Sequence, residues 1–254
     1  MKQQPPHRAT FRFYEELNDF FAPGKRKATV TVCFTGNPSV KNVIESVGIP
    51  HTEVDLILVN SKSVGFCYHL RDGDRVSVYP VFESLDISSV THIRGKPLRK
   101  PAFILDVHLG KLARYLRMLG LDTLYRNDYE DNDIVRIARM QNRIILTRDV
   151  GLLKKKEVTH GFWIREQNPK KQVSEVLDRL DLYTHVSPFQ RCIACNGLIE
   201  KVEMEEISDR LDSKTKKYYK EFYRCTSCKK IYWKGSHYER MSKLVADFQK
   251  SPHP

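Results

Sequence analysis

The sequence has no long apolar run, few cysteines and fewer acidic than basic side chains. No stretch approaches the roughly 18 consecutive apolar residues that a membrane-spanning helix needs. The N-terminal MKQQPPHRATFRFYEE contains no apolar segment like that of a secretory signal peptide. Of the six cysteines, four fall into two Cys-x-x-Cys pairs, which is not the pattern of a disulfide-linked secreted domain. These absences predict a cytoplasmic protein that does not enter a membrane.

The shortage of acidic residues leaves the chain strongly basic. Lysine and arginine number 43 against 31 aspartates and glutamates, which gives a formal net charge of +12. Between Arg94 and Arg126, eight Lys/Arg stand against two Asp, so half of the net charge falls in this stretch. Basic side chains favour polyanionic partners because neutralised phosphates release their counterions. The charge predicts a nucleic acid partner, and a basic surface that only aids solubility is the alternative.

The chain is long enough for more than one folded unit. Its 254 residues exceed the ~100 to 200 residues of a common single domain. The hydrophobic fraction of 41% and aromatic fraction of 10% are typical of globular proteins. Residues 84–101 contain proline, glycine and several basic side chains without hydrophobic periodicity, which predicts a basic linker.

The N-terminal part alternates between strand and helix patterns. Strands are predicted for ATFRFYEEL, KATVTVCF, DLILVNSK and DRVSVYPVF, and a helix for SVKNVIESVG. Ser39 is the expected N-cap of this helix, and Gly48 with Pro50 is expected to end it. Cys33 and Cys67 lie in hydrophobic, strand-like contexts and are predicted to be buried.

The phrases GNPSVKNVIESVGIP and LRDGDRVSVYPVF resemble the ubiquitin-like β-grasp fold of small sulfur-carrier proteins. The resemblance implies an α+β domain over residues 8–83. Sulfur carriers end in a free Gly-Gly, whereas the last predicted strand here continues into more protein. Carrier chemistry is therefore not expected, and we expect docking of a protein partner or a structural role.

Aspartates follow two predicted strands beyond residue 101. The apolar run FILDV includes Asp106, and a helix is predicted for HLGKLARYLRMLG; the run RIILT leads to Arg148 and Asp149. Parallel α/β sheets bind ligands where the carboxyl ends of their strands meet. In the predicted helix DNDIVRIARMQN, Asp131 and Asp133 can each reach this edge, with Asp131 slightly nearer the buried face.

Carboxylates that meet at one edge repel each other unless a cation lies between them. Oxygen ligands favour Mg²⁺ or Mn²⁺, which can activate water and stabilise a phosphate during in-line displacement. We therefore predict a catalytic metal site formed by Asp106, Asp149 and either Asp131 or Asp133. The alternative is that Asp106 and Asp131 cap helices and Asp149 is a turn residue.

Four basic residues near these aspartates are candidates for RNA binding. Lys111, Arg114 and Arg117 are predicted on the side of their helix away from most of its leucines, and Arg148 adjoins Asp149. Arginine can grip phosphate with two parallel donors. A merely solvated helix face is the alternative for the three helical residues.

The two Cys-x-x-Cys pairs predict a metal site. Cys192, Cys195, Cys225 and Cys228 supply four thiolates, the usual set for tetrahedral structural zinc. Strands are predicted for EKVEMEEI and KEFYRC, which together with the pairs make a zinc ribbon. Lysines and aromatic residues around the second pair can bind phosphates and bases, or the rings can pack the ribbon. A helix is predicted from Ser236 to Gln249.

The runs LDVHLGKLARYLRMLGLDTLYRND, DNDIVRIA and RIILTRDVGLLKK, followed by the cysteine pairs, resemble the Mut-seven C-terminal ribonuclease domain of the PIN-like nucleases. The resemblance spans Phe103 to Trp233 and implies a Rossmann-like α/β/α nuclease domain that hydrolyses RNA with metal ions. It implies catalytic acids at Asp106 and Asp149. The family spacing also favours Asp131 over Asp133 and leaves a further acid unassigned. Members with a β-grasp domain in front are known.

Together these patterns predict an α/β protein with a β-grasp domain (8–83), a basic linker (84–101), a PIN-like nuclease domain (102–187), a zinc ribbon (188–235) and a C-terminal helix and tail (236–254). The predicted function is a ribonuclease that uses Mg²⁺ or Mn²⁺ at its acidic centre and Zn²⁺ in its ribbon. The alternatives are a non-catalytic RNA-binding adaptor and a nuclease that acts on DNA. The choice of RNA rests on the resemblance, because phosphodiester chemistry at metal ions does not distinguish the two.

Overall fold

The structure is a computed structural model that describes residues 6–81, 91–93 and 101–250. Most of the predicted linker at 84–101 lies outside the described residues, as do its basic residues Arg94, Lys96, Arg99 and Lys100. The described residues form two compact units. The first unit contains the described residues before residue 100 together with residues 149–163. The second unit contains residues 101–148 and the described residues from 164 onward.

The described residues contain strands and helices of ordinary length, and none of their helices combines the length and apolarity that a membrane crossing requires. The strands are β1 (His7–Phe13), β2 (Thr29–Phe34), β3 (Val54–Val59), β4 (Lys62–Val64), β5 (Arg75–Pro80), β6 (Ala102–Leu105), β7 (Asp122–Leu124), β8 (Ile144–Thr147), β9 (Gly161–Trp163), β10 (Ile199–Val202), β11 (Phe222–Cys225) and β12 (Ile231–Trp233).

The α-helices are α1 (Val40–Ser46), α2 (Gly110–Met118), α3 (Asp131–Gln141), α4 (Val150–Leu153), α5 (Pro169–Arg179), α6 (Ser213–Tyr218) and α7 (Ser236–Phe248). Short 3-10 helices cover Glu15–Phe20, Pro23–Lys25, His51–Glu53, Val107–Leu109, Tyr183–His185 and Met204–Arg210.

The first unit has a β-grasp sheet with strand order β2-β1-β5-β3-β4. Strand β1 is antiparallel to β2 and parallel to β5, and α1 buries Val40, Val43 and Ile44 in the core of this unit. Ser39 caps α1 as predicted, because its Oγ accepts a hydrogen bond from the Asn42 N–H at 3.2 Å. The structure adds the short strand β4 to the predicted order. It also ends the first strand at Phe13, where a 3-10 helix takes over.

The prediction that Cys33 and Cys67 are buried is wrong, because both are exposed. Strand β2 lies at the edge of its sheet, and its side chains alternate between solvent and core. Cys33 shares the exposed face with Thr29 and Thr31. An apolar neighbourhood in the sequence therefore does not reveal which face of an edge strand is covered.

The segment 149–163 packs in the first unit, although it falls inside the predicted nuclease range 102–187. The Trp163 and Phe20 rings lie 4.6 Å apart between centroids. Three side-chain hydrogen bonds also connect this segment to residues 45–53. They join Lys154 Nζ to the Glu45 carbonyl (2.9 Å), His51 Nε2 to the Val158 carbonyl (2.8 Å) and Glu53 Oε1 to the Trp163 N–H (2.6 Å). Segment 149–163 is thus bound to α1 and to two 3-10 helices of the first unit.

The second unit has a parallel sheet in which β6 lies between β7 and β8. Helix α2 buries Leu112, Ala113 and Leu116, and α3 buries Ile134 and Ala138, as their apolar spacing predicts.

The cysteine pairs accompany a three-stranded antiparallel sheet of order β10-β11-β12, called the ribbon sheet below. The predicted strand EKVEMEEI ends at Val202, and Met204–Arg210 is a 3-10 helix that buries Ile207. Helix α7 covers the predicted range to within one residue and buries Val245 and Phe248.

A glycine permits a close approach in the second unit. Gly120 follows α2 with a φ of +86°, and a Cβ built on it would lie 2.0 Å from the Ser187 carbonyl oxygen. The Ser187 N–H donates to the Leu119 carbonyl at 3.0 Å, which holds the two segments together. Only a residue without a Cβ satisfies both the backbone angle and the contact.

We expect Gly120→Ala to lower the free energy of unfolding by at least about 2 kcal/mol, since the left-handed backbone and the clash both oppose alanine. Denaturant unfolding measures the change. The matched control is Gly24→Ala, where no atom lies within 4 Å of the added Cβ and no positive φ is required. Equal stability of the two variants would contradict the assigned contact.

Candidate functional site

Asp106 lies at the carboxyl end of the central strand of the parallel sheet. It follows β6 directly, and its side chain is 7% exposed. The Thr147 hydroxyl donates to Asp106 Oδ2 at 2.7 Å, and the Asp106 N–H donates to the Leu146 carbonyl at 3.1 Å. Asp106 occupies the N-cap position of Val107–Leu109, but its side chain makes no capping hydrogen bond. Its carboxylate is therefore held against the end of the neighbouring strand and is not used as a cap.

Thr147 was not predicted as a site residue, although it ends the run that leads to Asp149. Its side chain is fully buried, and its hydroxyl orients the Asp106 carboxylate. The available signal was a polar residue at the end of an apolar strand run, two positions before an aspartate. The sequence did not show that its partner is 41 residues away.

Asp149 is the second residue after β8 and belongs to the first unit. It is the N-cap of α4, and its Oδ1 accepts a hydrogen bond from the Gly151 N–H at 2.7 Å. The alternative predicted for Asp149 was a turn residue, whereas the structure makes it a helix cap. A carboxylate has two oxygens and several lone pairs, so a capping bond does not by itself prevent it from binding a further ligand.

The two acids of α3 differ in their partners. Asp131 is the first residue of α3 and is exposed, and Glu130 takes the N-cap position without a side-chain cap bond. Asp131 is therefore not the N-cap that the alternative assigned to it. Asp133 Oδ1 accepts a bond from Arg136 Nη2 at 2.9 Å, and this bond holds the pKa of Asp133 below its ordinary value.

The four predicted cysteines come together as a metal-binding cluster. Their Sγ atoms all lie within 4.8 Å of one another, and this is the only such group of three or more His, Cys, Asp or Glu among the described residues. The predicted aspartates do not form a group this tight. Four mutually close thiols match the ligand set of tetrahedral zinc and fill every position of it.

The two cysteine pairs have the same backbone geometry. In the first, the Asn196 N–H donates to the Cys192 carbonyl (2.8 Å) and the Cys192 N–H to the Gly197 carbonyl (2.7 Å). In the second, the Lys229 N–H donates to the Cys225 carbonyl (3.1 Å) and the Cys225 N–H to the Lys230 carbonyl (2.9 Å). Asn196 and Lys229 both have positive φ angles, 72° and 59°. Two equivalent tight turns thus present the thiols, and we call them the first and second knuckle.

The prediction that Arg117 lies on an exposed helix face is wrong, because Arg117 is buried. It is 3% exposed, and its guanidinium donates to four backbone carbonyls, which belong to Thr123 (2.8 Å), Ala194 (2.8 Å), Ile193 (3.2 Å) and Tyr125 (3.3 Å). Burial lowers its pKa, but an arginine stays charged at physiological pH. Arg117 therefore ties α2 and β7 to the first knuckle. The helical pattern predicted a solvated face for Arg117. It could not show that the first knuckle, which lies far along the chain, covers this face.

Lys111, Arg114 and Arg148 are exposed, so the remaining candidates for RNA binding are accessible. Lys111 and Arg114 lie on one face of α2, and Arg148 directly follows β8.

Asp122 and Asn196 form a second polar junction between the parallel sheet and the first knuckle, and the sequence did not predict it. The Asn196 amide accepts from the Thr123 N–H (2.9 Å) and donates to Asp122 (2.8 Å). Asp122 also pairs with Arg143 (2.7 Å) and Arg191 (3.1 Å). Burial alone would raise the pKa of Asp122, but the bonds from Arg143 and Asn196 hold it below its ordinary value. The polar Asn196 directly after a Cys-x-x-Cys pair was the available signal.

Comparison with known proteins finds two family models along the chain. The model described as Mut7-C RNAse domain matches residues 101–245, and the one described as Mut7-C ubiquitin matches residues 7–86. No curated protein sequence matches the chain. A solved structure from Pyrococcus furiosus, assigned as subunit 1 of a molybdopterin converting factor, is 18% identical over 29% of this chain and 97% of its own, with a TM-score of 0.24. That score is too low to support any conclusion about function.

We expect the purified protein to contain one zinc ion per chain and to lose it in Cys192→Ser/Cys195→Ser. Loss of the metal should lower the melting temperature markedly, because zinc binding contributes directly to the folding of such small units. Elemental analysis and thermal denaturation measure both effects. Cys33→Ser/Cys67→Ser is the control, since these exposed thiols lie outside the cluster. A stable, metal-free double variant would refute a structural zinc site.

We expect Arg117→Leu to lower the free energy of unfolding by about 3 kcal/mol, because it leaves buried carbonyls without donors. Arg114→Leu, on the exposed side of the same helix, should change it by less than about 0.5 kcal/mol. Urea unfolding of both variants tests the difference. Similar small changes would show that the guanidinium is not a structural tie.

Proposed function

Because the chain belongs to the Mut7-C RNAse domain family, we propose that it is a metal-dependent ribonuclease that hydrolyses RNA phosphodiester bonds. The family match over residues 101–245 carries this proposal. It agrees with a net charge of +12, which suits a polyanionic substrate.

The proposed catalytic ligands are Asp106, Asp131 and Asp149, with Asp133 as the reserve for Asp131. Support for a cation comes from the surroundings of Asp106, whose buried carboxylate is bonded by the neutral hydroxyl of Thr147. A buried charge is costly unless an opposite charge pairs with it, so the position suits a cation. Mg²⁺ or Mn²⁺ fits this set because hard divalent ions prefer carboxylate oxygens. When bound, such an ion supplies an activated water and stabilises charge on the phosphate.

The protein groups have separate parts in this proposal. Thr147 holds Asp106 Oδ2, and the Gly151 N–H holds Asp149 Oδ1, so each carboxylate keeps its orientation before substrate arrives. Preorganised ligands need no rearrangement during the reaction. Lys111, Arg114 and Arg148 are proposed to bind phosphates of the RNA on either side of the cleaved bond.

The cysteine cluster is proposed to bind structural Zn²⁺, because four thiolates leave no coordination position for water or substrate. Reduced thiols at this spacing suit a cytoplasmic location, which is part of the proposal. The β-grasp domain is proposed to have a structural role, which is to hold segment 149–163 with Asp149 at its start. A protein partner on its remaining surface is a second part of the proposal.

We expect Asp106→Asn and Asp149→Asn to lower RNA cleavage at least about a hundredfold, since metal-ion stabilisation is worth several kcal/mol of the barrier. Asparagine is also a good N-cap, so Asp149→Asn removes the charge while α4 keeps its cap. The assay uses labelled RNA with added Mg²⁺ or Mn²⁺.

The control for this assay is Asp247→Asn, which removes an exposed carboxylate on α7 paired with Lys250. Full cleavage by both site variants would refute the proposed centre. RNA binding without cleavage by the wild type would indicate an adaptor, and faster cleavage of DNA than RNA would indicate a DNA-directed enzyme.

We expect Asp131→Asn to reduce cleavage about a hundredfold and Asp133→Asn to change it less than about threefold. The reason is that the family spacing favours Asp131, while at Asp133 the ion pair with Arg136 competes with metal binding. Cleavage rates over a range of Mn²⁺ concentrations compare the two variants. The reverse order of effects would make Asp133 the ligand.

A further inference from the structure

An apolar cavity of about 200 Å³ lies beside the ribbon sheet, and the proposed catalytic centre does not use it. Strands β10, β11 and β12 contribute to its lining, and so do α7 and the chain at 188–193. Five aromatic residues line it: Phe189, Tyr223, Tyr232, Trp233 and Tyr238.

Of the tyrosines that line this cavity, Tyr232 also contacts the cysteine cluster, because its hydroxyl lies 3.0 Å from Cys192 Sγ. Phe222 and Trp233 are cross-strand partners, and Phe222 is buried in a small core on their face of the ribbon sheet. Tyr223 and Tyr232 are the next cross-strand pair and therefore project from the opposite face. Tyr223 and Tyr232 on this second face line the cavity, and so does Trp233 at the end of β12.

The lining outside the ribbon strands also contains rings. Phe189 and Tyr238 lie 4.8 Å apart between centroids with their planes tilted by 43°. A cavity lined with aromatic rings suits a flat π-system, because ring faces stack on any base regardless of its identity. Arg191, Gln190 and Lys234 add polar donors to the lining. Arg191 and Lys234 are already paired with Asp122 and Glu221, so they are held in position.

The chain around the cavity carries a strong excess of positive charge. Residues 213–235 contain eight Lys/Arg and a single acidic residue, Glu221. An apolar peptide would not require this excess, whereas a polyanion with flat aromatic groups matches both the rings and the charge. Base faces are accessible in single strands and hidden in duplexes.

We propose that this cavity binds an unpaired nucleobase of single-stranded RNA, while the surrounding lysines contact the flanking phosphates. Stacking on Tyr223 and Tyr238 holds the base, and exposed Lys229 and Lys230 of the second knuckle lie on the same ribbon. The choice of RNA as the ligand rests on the proposed function. The cavity thereby gives the nuclease a substrate-binding site separate from its acidic centre.

The test measures affinity for a short, labelled single-stranded RNA by fluorescence anisotropy, in the full chain with Asp149→Asn and without added Mg²⁺ or Mn²⁺. We expect Tyr223→Ala and Tyr238→Ala each to weaken binding about tenfold, in line with the loss of one stacking partner. Tyr223→Phe should restore binding because it keeps the ring. Zinc content and melting temperature are measured for every variant to verify its fold.

The matched control is Tyr218→Ala, which removes a tyrosine that is 70% exposed in the same basic stretch and does not line the cavity. Its affinity should stay within about twofold of the parent, well below the loss of a stacked ring. If Tyr223→Ala fails to fold, Tyr238→Ala on α7 still decides the outcome. Equal affinities for all variants would overturn the proposal.

Tryptophan fluorescence provides an independent measurement in the intact cavity. The chain has two tryptophans, so Trp163→Phe leaves Trp233 as the single reporter. Bound RNA should quench Trp233 over the same concentration range as the anisotropy change, and binding without quenching would overturn the proposal. Equal affinity for a duplex of the same sequence would exclude an unpaired base, and equal affinity for DNA would exclude RNA as the specific ligand.

This inference and the proposed function can fail separately. A wild-type protein that cleaves RNA, together with cavity variants that bind it normally, would refute only the cavity site. RNA that binds the cavity but is not cleaved with Mg²⁺ or Mn²⁺ would refute only the proposed function.

Discussion

The buried guanidinium of Arg117 is the interaction on which the second unit depends. A cation in the interior must find acceptors for its donors, and this one uses backbone carbonyls of β7 and of the first knuckle. Backbone acceptors cannot be removed by side-chain substitution, so the tie constrains the geometry of the whole knuckle. The first knuckle is therefore part of the same folded unit as the parallel sheet, and the loss of this tie would disturb both.

A second constraint is the end of the parallel strands. The apolar runs of β6 and β8 place Asp106 and Thr147 at neighbouring strand ends, where a hydroxyl and a buried carboxylate meet. The burial of a charge with a neutral partner is unfavourable for a purely structural residue. A cation bound beside Asp106 would offset this cost. The burial of Asp106 therefore agrees with the proposed metal-dependent chemistry.

Segment 149–163 packs in the unit that contains the β-grasp sheet. Three side-chain bonds and a ring contact hold this segment within the first unit. A domain arrangement inferred from consecutive sequence assigns the segment to the nuclease, since it directly follows β8. Its partners His51 and Glu53 lie more than a hundred residues earlier. Contacts at such separation leave no periodic signal in a single sequence.

The sequence by itself determined the local helices, strands and caps, and it determined where the aspartates and cysteine pairs fall along the chain. The apolar run that ends at Asp106, the cap at Ser39 and the spacing of the cysteine pairs are local patterns with a direct physical reading. The tertiary structure alone decided which faces are covered. It buried Arg117, exposed Cys33, and left the Tyr223 face of the ribbon lining a cavity. Helix and strand periodicity define the two faces of an element, but distant segments of the chain decide what packs on each.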